Sequence, residues 1–200
     1  MFLSKGLNGQ EFTAAGTIRV PGADISGQLT FRGARLACGR GCDALVADGS
    51  KVSGSVFLDE GFTAAGAIRL IGADITGQLS CSDAHLNGAD SDGAALVADW
   101  IKVGLSMLLD KGFTAAGTIS LDSGRVGRGL VWAPEEQFSG RVDLARFDAG
   151  HLEDDWGSGR PGSSRARAAS TARSVQSGLG RATCRPRPRP RAAARGSPRP

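Results

Sequence analysis

The chain has 200 residues, 30 of them glycine and none tyrosine, and a formal net charge of +4, an unusual composition for a globular enzyme. No apolar run approaches the roughly 18 residues of a membrane-spanning helix. The start, Met1-Phe2-Leu3-Ser4-Lys5-Gly6, lacks the basic, apolar and small-residue regions of a signal peptide, so the expected compartment is the cytoplasm. The four cysteines, Cys38, Cys42, Cys81 and Cys184, are too sparse for the disulfide framework of a small secreted domain and are expected as reduced thiols.

In chain order, Met1 and Leu3 align with Met107 and Leu109, so the sequence begins inside a repeat without an evident cap. That predicts end-to-end association through open strand edges, or a natural start further upstream. Next comes a phrase used three times. Phe12-Thr13-Ala14-Ala15-Gly16-Thr17-Ile18 returns at Phe62 to Ile68 and again at Phe113 to Ile119, offsets of 50 and 51. Self-similarity at such a period marks a repeat architecture.

A shorter unit lies inside the long one. Ile18, Val20 and Ile25 carry a 0, 2, 7 spacing that recurs at Leu29, Phe31 and Leu36, at Leu45, Ala47 and Val52, and at Ile68, Leu70 and Ile75. Leu79, Cys81 and Leu86 follow it, then Leu96, Ala98 and Val103, then Ile119, Leu121 and Val126. A pair two apart reads as a very short strand with both side chains on one face. No helical period of useful length occurs in residues 1–150. The units begin 11 residues apart, except for one added residue near Gly61-Phe62 and longer insertions of five (Leu36 to Leu45) and six (Leu86 to Leu96). Four elevens with these additions close on both long periods. The expectation is a coil of about 22 residues, with the larger loop returning at one corner. Stacked at about 4.8 Å, eleven units give a solenoid about 26 Å long. Glycines at the corners (Gly16, Gly27, Gly66, Gly77, Gly117) are expected to supply backbone angles that other residues disfavour.

Several residues invite a chemical reading. Gly39-Arg40-Gly41-Cys42-Asp43-Ala44 matches the dinucleotide fingerprint, with Asp59 and Glu60 near its acidic position, but the motif has meaning only between a strand and a helix. Here a variable corner loop is expected, leading into the strand Ala44 to Asp48. Cys38 and Cys42, with Cys81 and His85 from the next unit, form a conceivable metal or redox set; Cys81 is expected in the core instead. His85 and His151 have no identifiable nucleophile partner. Asp24, Asp48, Asp74 and Asp99 recur at matching positions, which argues for turn capping over acid–base work. Trp100 and Trp132 are expected to pack in the core, with a stacking platform as the alternative.

The third repeat degrades. Leu130 and Trp132 still fit, Ala133-Pro134-Glu135-Glu136 interrupts, and Val142 with Leu144 reads as a last strand. From Gly157 the chain is mainly Arg, Pro, Ala, Gly and Ser, with eleven arginines and no acid; residues 1–156 therefore carry −7 of the +4 total. Such a segment cannot bury enough apolar surface to fold. Three readings compete: a basic arm for nucleic acid or an anionic surface, a functionless disordered tail, and translation of high-GC sequence out of frame.

Ala23-Asp24-Ile25-Ser26-Gly27 and Ala73-Asp74-Ile75-Thr76-Gly77 resemble the pentapeptide-repeat pattern, with faces of five and six residues alternating instead of strict fives. The resemblance covers roughly residues 12–150 and implies a right-handed quadrilateral β-helix; a triangular one is the rival. Gly61 to Leu79 and Ala95 to Asp99, with weaker echoes in 145–156, resemble a group of actinobacterial repeat proteins often labelled oxidoreductase or membrane-associated oxidoreductase. That resemblance implies a redox enzyme, and a chain that continues past the position of Trp156, which favours the out-of-frame reading. The residues themselves offer no credible nucleotide loop, flavin motif or Cys-x-x-Cys.

These readings combine into an all-β, right-handed parallel β-helix over residues 1–152 and a disordered tail over 153–200. The expected role is a non-catalytic scaffold for an unknown protein partner, without cofactor, metal or catalytic residues. The alternatives are an oxidoreductase, peripherally membrane-associated as the resemblance implies, and an electrostatic binder acting through the arginines.

Overall fold

A computed structural model describes residues 11–39, 41–133 and 140–154. The readings attached to Met1 and Leu3, to Pro134-Glu135-Glu136, to Cys184 and to the Arg-rich segment from Gly157 lie outside the described residues.

Short inward-facing pairs become short parallel strands on four sheets, which the chain visits in turn. The first face holds Thr13–Ala15, Arg35–Ala37, Thr63–Ala64, His85–Leu86 and Thr114–Ala115. The second holds Ile18–Arg19, Asp43–Val46, Ala67–Arg69, Ala94–Val97, Thr118–Ser120 and Val142–Asp143. The third holds Asp24–Ile25, Lys51–Val52, Asp74–Ile75, Lys102–Val103, Arg125–Val126 and Asp148–Ala149. The fourth holds Leu29–Thr30, Val56–Phe57, Leu79–Ser80, Ser106–Asp110, Gly129–Ala133 and Leu152–Asp154. Among the described residues there is no helix. Four faces replace the triangular alternative. Val142–Asp143 is not the last strand, because Asp148–Ala149 and Leu152–Asp154 extend the third and fourth faces.

Register reproduces the arithmetic of the sequence. On the fourth face Leu29, Val56, Leu79, Met107, Leu130 and Leu152 are stacked partners, separated by 27, 23, 28, 23 and 22 residues. The bare coil is 22. The long coils carry the insertions between the first and second faces, and the coils of 23 carry one added residue between the fourth and first. That residue is visible in the backbone. Glu60 and Gly61 both have positive φ (56° and 81°), as do Lys111 and Gly112 (51° and 86°), where the intervening coil has only Asp83 at 58°.

The inward residues fill a continuous core. Ile68, Leu79, Leu96 and Ile119 are fully buried, and Leu70, Ile75, Leu86 and Val126 nearly so. At the corner before the first face, fully buried Phe62 and Phe113 alternate with Ala34 and Ala84. Each added residue therefore accompanies a phenylalanine where the bare turn carries alanine. Phe62 meets Phe31 edge-on at 6.4 Å, and Phe113 meets Trp132 at 6.2 Å. Alternation of large and small side chains lets successive layers interdigitate at native density. This is why the phrase returns every second coil.

The corner glycines need correction. Among Gly16, Gly27, Gly66, Gly77 and Gly117, only Gly16 has positive φ, at 124°. At Gly66 a Cβ would collide with Cys38 Sγ and the Cys42 carbonyl, and at Gly77 it would meet the Gly54 carbonyl at 2.7 Å. Close approach of stacked coils, not backbone handedness, demands these two glycines.

Candidate functional site

The loop Cys38 to Asp43 connects the first and second faces and leads into a strand, not a helix. Asp59 and Glu60 lie at the opposite end of the first face, before Thr63–Ala64. The elements that give the dinucleotide fingerprint its meaning are therefore not present around it. Cys38 and Cys42 are joined by a disulfide, with Cα atoms 6.3 Å apart, which overturns the expectation of reduced thiols for this pair. The two cysteines sit at the ends of a tight corner loop whose geometry brings them within bridging distance. The disulfide removes both thiols from any metal or thiol chemistry with Cys81 and His85. Cys81 is buried, and burial pushes its thiol up to about 12, so it stays protonated and inert.

The recurring aspartates divide into two kinds. Asp48 and Asp99 cap the next coil. Asp48 accepts the Ile71 N–H at 3.1 Å and the Arg69 guanidinium at 2.9 Å; Asp99 accepts the Asp122 N–H at 3.0 Å and the Ser120 hydroxyl at 2.5 Å. Asp24 and Asp74 point outward on the third face, in register with Lys51. His85 Nδ1 lies 3.0 Å from Thr114 Oγ1, and its Nε2 is 3.7 Å from Asp83; His151 is exposed at the corner between the third and fourth faces, just before Leu152–Asp154.

Asp59 is the buried carboxylate that sequence reading placed elsewhere. Burial raises its proton affinity above the usual range, while a hydrogen bond from Ser80 and the nearby Arg32 pull the other way. Arg32 Nε lies 3.2 Å from Asp59, its Nη1 lies 3.0 Å from Glu60, and the guanidinium stacks 4.2 Å above the Phe57 ring. Asp59 thus tethers adjacent coils at a corner.

Trp132 packs as expected, but Trp100 does not. It stands at a corner, 62% exposed, with φ of 61°. The sequence carried a signal for this: Ala98-Asp99-Trp100 occupies the repeat position of Ala47-Asp48-Gly49, whose glycine has φ of 64°. Also missed was the outward row of the third face. Asp24, Lys51, Asp74, Lys102, Arg125 and Asp148 are stacked partners. Charge alternates along it until Lys102 meets Arg125. A shallow groove, largely open to solvent, runs along the later part of this row and is lined by Asp74, Lys102, Arg125 and Asp148.

No family model, curated protein or solved structure matches the chain. The geometry defines a class: a parallel β-solenoid of about six coils, closed by four sheets. Among the described residues no helix is long and apolar enough to cross a membrane, and no group of three or more His, Cys, Asp or Glu is placed to hold a metal ion.

Proposed function

We propose that the solenoid is a non-catalytic scaffold whose outward rows bind a protein partner. The observation that carries this reading is the use made of the recurring aspartates: Asp48 and Asp99 each hold the backbone of the next coil, so the repeating acids maintain the stack and leave its faces as ordered rows of side chains. The resemblance of Gly61 to Leu79 and Ala95 to Asp99 to proteins labelled oxidoreductase supports the competing reading. Absorbance and mass spectrometry of the purified chain separate the two. The scaffold predicts a colourless, cofactor-free protein; stoichiometric flavin or nicotinamide would overturn it.

The eleven arginines beyond Trp156 support a second reading, electrostatic binding to nucleic acid or anionic lipid. It predicts binding that weakens steeply with salt and disappears on truncation at Gly157. The gene's other reading frames decide whether that segment is native: an aliphatic pattern resuming in one of them identifies a frameshift. Self-association through the solenoid ends belongs to the scaffold reading and predicts a sedimentation coefficient that rises with concentration. Cytoplasmic placement, with peripheral membrane attachment as its variant, is tested by the Cys38–Cys42 bridge. The cytoplasm keeps such pairs reduced, so thiols trapped by alkylation at cell lysis report the compartment.

A further inference from the structure

The third face changes character along the solenoid. At its leading corner the first three coils carry Gly22, Gly49 and Gly72, all with positive φ, and the last three carry Trp100, Ser123 and Arg146 in the same backbone conformation, Trp100 being the bulky apolar one. Left-handed backbone is costly for a bulky residue, and three coils show the glycine that would avoid the cost. At the trailing corner the fourth coil carries Leu105, 39% exposed. Trp100 and Leu105 are the exposed large hydrophobic residues among the described ones, and they flank one strand, Lys102–Val103.

Beside that strand the charge alternation breaks. Lys102 and Arg125 are register partners, and like charges directly opposite destabilise a ladder. Neither forms an ion pair among the described residues. Both line the groove, whose ends carry Asp74 and Asp148.

We propose that this groove is the docking site for an extended acidic segment of a partner protein. The inference rests on the scaffold reading and names the surface and the chemistry of its partner. Read along the stack, the row is negative, positive, positive, negative. That order complements two carboxylates two residues apart, on one side of an extended segment, flanked by neutral or basic residues. Four coils at about 4.8 Å span about 14 Å, room for four or five extended residues at about 3.3 Å each. Trp100 and Leu105 offer apolar contact at the edges. A continuous polyanion fits worse, because Asp74 and Asp148 would face its phosphates at both ends of the groove.

The test is fluorescence anisotropy of the full chain with a fluorescein-labelled octapeptide, a central Asp-Ser-Glu flanked by Leu and Lys. Saturable binding is expected. It should weaken about tenfold or more in Lys102→Glu/Arg125→Glu and in Trp100→Gly, and stay unchanged in Arg19→Glu on the second face. Trp100→Gly restores the residue of the earlier corners and should melt no lower than the parent, so lost binding there is not lost fold. A peptide with a central Lys-Ser-Lys should bind the double variant and not the parent. Absence of saturable binding at about 1 mM peptide, or binding indifferent to these substitutions, overturns the proposal. So does stronger binding of oligothymidylate or phosphatidylserine vesicles that the same variants abolish, which would give the surface to nucleic acid or membrane. The scaffold reading fails separately, by a bound cofactor that this titration does not report.

Discussion

Phe62→Ala tests the physical origin of the long period. Phe62 is fully buried, meets Phe31 edge-on at 6.4 Å, and occupies the corner position that Ala34 and Ala84 hold in the neighbouring coils. Truncation removes a ring from a site whose neighbours along the stack are already alanine, so the hole cannot be filled from either side. The expected loss is at the upper part of the 3–5 kcal/mol range for a buried phenylalanine, about 4 kcal/mol. For a chain of this size that lowers the melting temperature by roughly 8–16 °C. Ala84→Phe is the converse. Its ring would enter between Phe62 and Phe113, both fixed in full burial, and overpacking should cost about 1–3 kcal/mol or more. Combining the two does not restore the protein, because the ring then stands beside Phe113 while the hole remains beside Ala34. Urea unfolding followed by far-UV circular dichroism measures all three. A neutral Ala84→Phe, or a Phe62→Ala costing under about 1 kcal/mol, would refute size alternation as the reason the phrase returns every second coil.

Three further outcomes are expected. Gly66→Ala should destabilise by about 1–3 kcal/mol, since its Cβ would collide with Cys38 Sγ and the Cys42 carbonyl, whereas Gly27→Ala, with ordinary φ and open space at its Cβ, should be neutral; equal urea midpoints would contradict the close-approach argument. Asp59 has a raised proton affinity in the folded state, so folding is favoured most below the ordinary Asp range, near pH 4, and that contribution is lost as pH rises through the raised value. Asp59→Asn should flatten this part of the stability–pH profile, and an identical slope in both proteins would remove burial as its cause. Iodoacetamide should leave Cys81 unmodified in the native protein and modify it in urea; labelling of native Cys81 at the rate of a free thiol would contradict its full burial.

The fold was largely legible because a solenoid writes its core directly into sequence. Ile68, Leu70 and Ile75 point inward for the same reason in every coil, so spacing alone located the strands, the loop corner and the single added residue at Gly61. Other features depended on distances between coils. Nothing in Ala65-Gly66-Ala67 indicates that Gly66 lies under Cys38, because that contact belongs to residues 28 positions apart brought together by stacking. Trp100 was different: its alignment with Gly49 carried the information, and reading tryptophan as a core residue by type overrode reading it by position. Lys102 against Arg125 needed the register of both strands, which the 23-residue coil supplies once its length is known.

The disulfide shows how a corner can be fixed in more than one way. In the earlier unit Cys38 and Cys42 close the long loop covalently. In the later one Asp90 occupies the same corner and its carboxylate accepts the Asp92 and Ala94 N–H groups, both at 2.9 Å; Gly41 and Asp90 pair directly as a parallel bridge. Two unrelated chemistries therefore close loops that differ by one residue at the same corner, so the corner is set by the faces on either side and not by the closing group. A disulfide spanning so few residues adds only about 2 kcal/mol by loop-closure entropy, comparable to a single hydrogen bond to a charged acceptor, of which Asp90 accepts two. A cysteine pair read against secreted frameworks looks too sparse to bridge. Read against Asp90, it is one of two interchangeable clamps on a corner the solenoid repeats.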